Sequence, residues 1–117
     1  MTTKEVATRL VELCRTGQYD KAYEELFADQ AVSIEPAHSK QPAAEGLNAL
    51  IAKGEQFMHS VQEFHDGSVS DPIIAGNHFS CTMGMDITMK DGNRMKMDEI
   101  CVYEVKDGKV VKEQFFY

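Results

Sequence analysis

Three glutamates carry most of the chemistry this sequence offers, and two of them lie on its last hairpin. The runs Arg94–Lys106 (RMKMDEICVYEVK) and Lys109–Tyr117 (KVVKEQFFY) flank Asp107-Gly108, a strong hairpin signal. A three-residue loop pairs Val105 with Lys109, so odd positions on both arms share one face: Met97, Glu99, Cys101, Tyr103, Val105, Val111, Glu113, Phe115 and Tyr117. Glu99 and Glu113 sit diagonally on that mostly apolar surface. A buried carboxylate without a cation beside it is costly unless it is protonated or hydrogen-bonded. A cluster of such acids suits proton transfer, or a site for a metal or an amine. The plainer alternative is that they bond to Tyr103, Tyr117 or helix amides and only hold the fold. The third glutamate, Glu35, ends a short strand just before Pro36.

The elements that must position these side chains follow in chain order. Val6, Leu10, Leu13 and Cys14 line one face of a helix over residues 3–16, with Thr2 or Thr3 as N-cap and Gly17 as its end. Asp20 caps a second helix in which Ala22, Tyr23, Leu26 and Phe27 fall at helical spacing. Residues 31–35 alternate as a strand that Pro36 stops, and residues 37–44 form a polar loop placed to act as a lid. Glu45-Gly46 opens a third helix with the stripe Leu47, Leu50, Ile51, Phe57 and Met58. Then come four β-rich runs, 61–69, 73–90, 94–106 and 109–117, joined through Asp71-Pro72 or Gly76-Asn77, Asp91-Gly92 and Asp107-Gly108. The order ααβα then ββββ predicts one α+β domain over 1–117: a cone-shaped barrel of curved antiparallel or mixed sheet around three N-terminal helices. A cavity between helices and sheet is a normal place for a small ligand.

Composition narrows the partners. The 117 residues carry a net charge of −7 and no basic run, which argues against nucleic acid and anionic membrane. No apolar run reaches the length of a membrane span, and the opening residues lack a signal-peptide pattern. Cys14, Cys81 and Cys101 lie within apolar patterns and read as buried thiols, so a cytoplasmic location is expected. There is no H-x-H, H-E-x-x-H or C-x-x-C spacing, and neither metal nor cofactor is expected.

The stretch 16–36 (TGQYDKAYEELFADQAVSIEP) resembles the opening of the nuclear transport factor 2-like superfamily, in which a "G-D-hydrophobic…L-F/Y-A-D-D-A-x" segment leads into the first strand. Glu45-Gly46, the Asp-Gly hairpins and Gly108-Lys-Val-Val111 extend the likeness to its SnoaL-like, cystatin-fold branch. The resemblance implies the fold over nearly the whole chain and leaves the function open, because that fold hosts isomerases, cyclases, hydrolases, dehydratases and binders. In the ketosteroid isomerase pattern the general base falls on Glu35, while the oxyanion-hole Tyr and Asp fall on Leu10 and Cys101. Each missing donor removes about 2.7–4 kcal/mol of transition-state stabilisation. The Asp-Arg-Asp set of epoxide hydrolases is also broken: one Asp falls near Asp86, but Met83 or Gly84 and Phe115 take the other places. For the last-strand Asp of the cyclases, Glu113 is the only substitute.

A two-residue Asp91-Gly92 turn would pair Lys90 with Asn93 and turn Ser80, Thr82, Gly84, Asp86 and Thr88 inward. Phe79, Cys81, Met83, Met85 and Ile87 would then join Ile100, Val102 and Phe116 in an apolar outer patch, which implies a homodimer through that face. One slipped register would swap these faces. His78 would share the pocket face with Ser80, whereas His38 and His59 read as surface residues. The expectation is therefore a small, largely apolar ligand in a cavity lined by Leu10, Cys14, Thr82, Asp86, Met97, Cys101, Tyr103, Phe115 and Tyr117. Glu35, Glu99 and Glu113 are its candidate acid/base groups. The alternative is a homodimeric binding or accessory domain with the same cavity and no catalysis.

Overall fold

Helix α1 (Thr3–Arg15) begins at a reciprocal cap: Thr2 accepts from the Glu5 amide, and the Thr2 amide donates to Glu5. Two otherwise free amides are thereby satisfied. Its buried side, Val6, Ala7, Leu10, Val11, Leu13 and Cys14, contains the expected stripe. In this computed structural model, which describes residues 1–117, Gly17 (φ 73°) turns the chain into α2 (Tyr19–Leu26). Gln18 rather than Asp20 occupies the N-cap, and Asp20 lies in the first turn, where it complements the helix dipole. Phe27 leaves the helix and starts β1 (Phe27–Ile34), four residues before the expected strand.

After Pro36 the loop is partly ordered: a 3₁₀ turn spans Ala37–Ser39 and a two-residue strand, β2 (Ala44–Glu45), pairs with β1. Gly46, at φ 92°, opens α3 (Leu47–Ser60). The remaining strands are β3 (Val61–Val69), β4 (Ile73–Ala75), β5 (His78–Met89), β6 (Arg94–Lys106) and β7 (Lys109–Phe116). The single strand expected over 73–90 is thus broken by the Gly76-Asn77 turn. The sheet runs β2-β1-β7-β6-β5-β3, with β4 beside β5; β1 and β7 are parallel and the other pairs antiparallel. Irregularities in the β1–β7, β3–β5 and β6–β7 pairings bend it. The curved sheet stays open, and α1, α2 and α3 close its concave side over a core that includes Leu10, Leu26, Phe27, Leu50, Phe79 and Tyr103.

Two turns decide which side chains face that core. Asp107 (φ 52°) and Gly108 (φ 76°) make a two-residue turn, so Lys106 pairs with Lys109 and Val105 with Val110. A bulge at Val111 then shifts the register, giving Tyr103↔Glu113 and Cys101↔Phe115. The expected inward set survives beyond the bulge, but Val110, not Val111, is the buried valine.

The other turn overturns the β5 assignment. Lys90, Asp91 and Gly92 form a three-residue loop closed by the Met89 amide on the Asn93 carbonyl, with Gly92 at φ 92°. Thr88 therefore pairs with Arg94, Met83 with Glu99 and Cys81 with Cys101. Directly paired residues share a face, so Phe79, Cys81, Met83, Met85 and Ile87 point inward. Ser80, Thr82, Gly84, Asp86, Thr88 and His78 point outward, beside Ile100, Val102 and Phe116. The two-residue turn expected from Asp91-Gly92 is one residue too short, and that difference swaps every side chain of the strand.

Candidate functional site

A cavity of about 970 Å³ lies between the helices and the concave face. Leu10, Cys14, Met97, Tyr103, Phe115 and Tyr117 line it, as do Glu35, Glu99 and Glu113. Cys101 is fully buried on the same face, behind the wall. Thr82 and Asp86 are not part of it. Asp86 accepts two 3.0 Å bonds from the Arg94 guanidinium on the outer face, and those bonds hold its pKa below the usual carboxylate value. Met83 and Met85, expected at an outer interface, are instead cavity walls alongside Phe57 and Phe64. Thioether and aromatic walls of this kind accommodate varied apolar shapes.

Two side chains that the sequence reading passed over complete the polar end. Lys53, on α3, donates from Nζ to Ser33 Oγ (2.7 Å) and Glu35 Oε2 (3.0 Å), and lies 5.5 Å from the Phe115 ring centroid. It is the cation that the inward carboxyls were expected to lack. The signal was present: Lys53 falls three residues after Leu50 and four before Phe57, on the helix's apolar stripe. Tyr23, on α2, donates its hydroxyl to Glu113 Oε1 at 2.9 Å. Its place between Tyr19 and Phe27 at helical spacing marked it only as a core residue.

Glu113 sits on β7, opposite Ser33 of β1, and is only 2% exposed. Burial pushes its pKa up to about 7, although hydrogen bonds from Ser33 and Tyr23 and the charge of Lys53 pull the other way. Glu99, opposite Met83, is also raised by burial; the Cys101 thiol, 3.6 Å from its Oε1, and the charge of Lys53 oppose the shift. Glu35 meets the Lys53 ammonium on one oxygen and the Tyr117 hydroxyl on the other, at 2.8 Å. One carboxyl is thus ion-paired, while two are disfavoured as anions by their surroundings. Carboxyls in contrasting environments are the usual basis for separate acid and base roles.

The segment expected to be a lid folds against the cavity's rim. His38 Nε2 lies 2.6 Å from the Tyr117 carbonyl oxygen, the two rings meet edge to face, and Gln41 lines the cavity. His78 and His65 are engaged away from the cavity, with Glu104 and with Glu63 and Thr88 respectively. No group of three or more His, Cys, Asp or Glu side chains is arranged to hold a metal ion.

The open cone of sheet around three helices is the cystatin-like, ketosteroid isomerase-like fold. A sequence profile of the SnoaL-like domain matches residues 1–117, and the chain belongs to that family. It is 35% identical to a protein from Mesorhizobium loti assigned as a SnoaL-like polyketide cyclase, over 100% of both chains, with a TM-score of 0.93. A protein from Catenulispora acidiphila with a ketosteroid isomerase-like fold, solved in complex with trimethylamine, is 15% identical over 97% of this chain and 85% of its own, with a TM-score of 0.76. TerC, co-crystallised with polyporic acid, is 11% identical over 98% of this chain and 90% of its own, also with a TM-score of 0.76. These two likenesses concern the fold. No protein of curated function matches the chain in sequence.

Proposed function

We propose that this SnoaL-like protein binds a small, largely apolar ring compound and moves a proton on it, as a cofactor-independent isomerase or cyclase. The observation that carries this reading is the contrast among three carboxyls on one apolar-walled cavity. Glu35 is ion-paired with Lys53, whereas Glu99 and Glu113 are raised by burial, Glu113 to about 7. Glu35 takes a proton from a carbon beside a carbonyl. Glu99 or Glu113 in its neutral form, with Tyr103 or Tyr117, donates to the oxygen on which charge develops. A group with pKa near the working pH serves well in either direction, which favours Glu113 as the acid that donates to that oxygen and takes the proton back, while Glu35 delivers the abstracted proton to the product carbon.

The test is deuterium exchange at the α-carbon of small cyclic ketones in D₂O, followed by NMR. The expected result is protein-dependent exchange that falls about 10²-fold or more in Glu35→Gln. Ketones that bind without any exchange would replace this reading with that of a non-catalytic binding domain. The apolar residues Leu10 and Cys101, at the positions of the isomerase's oxyanion donors, favour that second reading.

A second copy of the chain is proposed to cover the outer face of the sheet. Ile100 and Phe116 are 50% and 48% exposed there, and Val102 pairs with Gln114 and Ser80 beside them. Both signs of charge surround this centre, Lys112 and Glu104 near one end and Arg94 and Asp86 near the other, so two copies can meet without like-charge repulsion throughout. Sedimentation at micromolar concentration is expected to give twice the 13.1 kDa chain mass. A 13.1 kDa species would end this proposal.

A further inference from the structure

Cys81 and Cys101 are direct partners across the β5–β6 pair, at 3% and 0% exposure, and both are free thiols. The Met89 amide bonds the Asn93 carbonyl and the Val105 amide bonds the Asn77 carbonyl. Every second pair between them, including Cys81–Cys101, is therefore a hydrogen-bonded pair, whose Cα atoms lie about 5.5 Å apart. That spacing is inside the roughly 4.4–6.8 Å range a disulfide bridges. A bridge straight across two paired strands is held by the sheet rather than by its own torsional preference, and strained bridges of this kind are the readily reduced ones. Cys101 also donates its thiol hydrogen to Glu99 Oε1 at 3.6 Å, the one hydrogen bond that tempers the raised pKa of this cavity carboxyl.

We propose that Cys81 and Cys101 form a reversible dithiol–disulfide site, closed by a small hydroperoxide, and that closing it removes the hydrogen-bond donor of Glu99. Cys81 is the attacking sulfur, because it keeps a little exposure where Cys101 has none, and the Cys101 hydrogen is committed to Glu99. The Cys81 thiolate takes the terminal oxygen of the hydroperoxide to give a sulfenic acid, and the alkoxide released becomes an alcohol by taking up the proton the Cys81 thiol lost. Cys101 attacks the Cys81 sulfur, and its proton passes by way of Glu99 to the departing hydroxide, which leaves as water. Two thiols are oxidised by two electrons and one O–O bond is reduced, so the step balances without a metal. The third thiol, Cys14, lines the cavity, and burial pushes its pKa up to about 12, which leaves it little thiolate. This inference does not depend on the proposed proton transfer; it concerns the same cavity wall and is read without a substrate.

The native protein is exposed to tert-butyl hydroperoxide, quenched, alkylated in denaturant and mapped by mass spectrometry. The expected result is a loss of about 2 Da per chain before alkylation, one cross-linked peptide pair holding Cys81 and Cys101, alkylated Cys14, and full reversal by dithiothreitol. Cys14→Ser should behave like the wild type, and Glu99→Gln should slow closure while leaving the far-UV circular dichroism unchanged. In wild-type protein, a bridge to Cys14, oxygen adducts without a bridge, or no thiol loss while an unfolded control oxidises would each overturn the proposal. These outcomes come from the wild-type map itself, so a cysteine variant that fails to fold does not decide the matter.

Discussion

The two faces of the sheet treat the same functional group in opposite ways. On the outer face Asp86 lies under the exposed Arg94 guanidinium, and its pKa falls. On the concave face Glu113 is enclosed, and its pKa rises to about 7 in spite of two hydrogen bonds and a nearby ammonium. A partner group decides the first case and the loss of water decides the second. The outer pair can be paired, screened or replaced at little consequence to the fold. Glu99 and Glu113 are costly to ionise where they stand, and that cost makes them candidates for chemistry rather than for stability.

The largest difference between the faces should appear in packing. Phe79 stacks on Tyr103 at a centroid distance of 4.7 Å in the core, and Phe79→Ala is expected to cost about 3–5 kcal/mol in urea unfolding. Ile100→Ala on the outer face is expected to cost about 1 kcal/mol or less within the subunit and to show its effect in dimer dissociation instead. Equal costs for both would erase the distinction.

Next comes the titration of Glu113. A rise from 4.5 to about 7 corresponds to about 3 kcal/mol. The folded state holds this proton more tightly than the unfolded chain. Its contribution is therefore fully present below about pH 4.5, is lost as the pH climbs to about 7, and is level above that. Stability of the wild type measured from pH 5 to 8 should fall more steeply than that of Glu113→Gln, and parallel curves would contradict the burial argument.

Lys53→Met leaves Glu35 without its ion pair and Ser33 without its donor, with an expected loss of about 1–3 kcal/mol. It should also move the Glu113 titration upward, followed by carboxyl ¹³C NMR, because the charge of Lys53 lowers that pKa. A downward or absent shift would show that Lys53 does not act on Glu113. The smallest effect belongs to Asp86→Asn, whose change in melting temperature should be less than that of any of the others. A comparable loss there would mean that the outer face is not open to water as described.

Much of this was legible in the residues. The stripe Val6, Leu10, Leu13, Cys14 and the Asp-Gly turns placed the helices and the last strands, and the odd positions of β6 from Met97 to Val105 face inward as expected. Glu35, Glu99 and Glu113 do share one cavity. The inward side of β5 was not legible, because Asp91-Gly92 suits both a two-residue and a three-residue loop, and the period of a strand is only two. Nor was the bulge at Val111, since Val110 and Val111 are the same residue type and either can be the buried one. Lys53 was hidden for a different reason: its meaning lies in Ser33 and Glu35, 20 and 18 residues away along the chain.

The sequence by itself determined the class of fold, the order of its elements and the set of acids able to meet. Periodicity and turn chemistry act over a few residues and are written locally. Which acids share a cavity was decided only by the tertiary structure. Register, burial and the reach of one lysine depend on strands and helices that are distant in sequence, and water is excluded only once they have met.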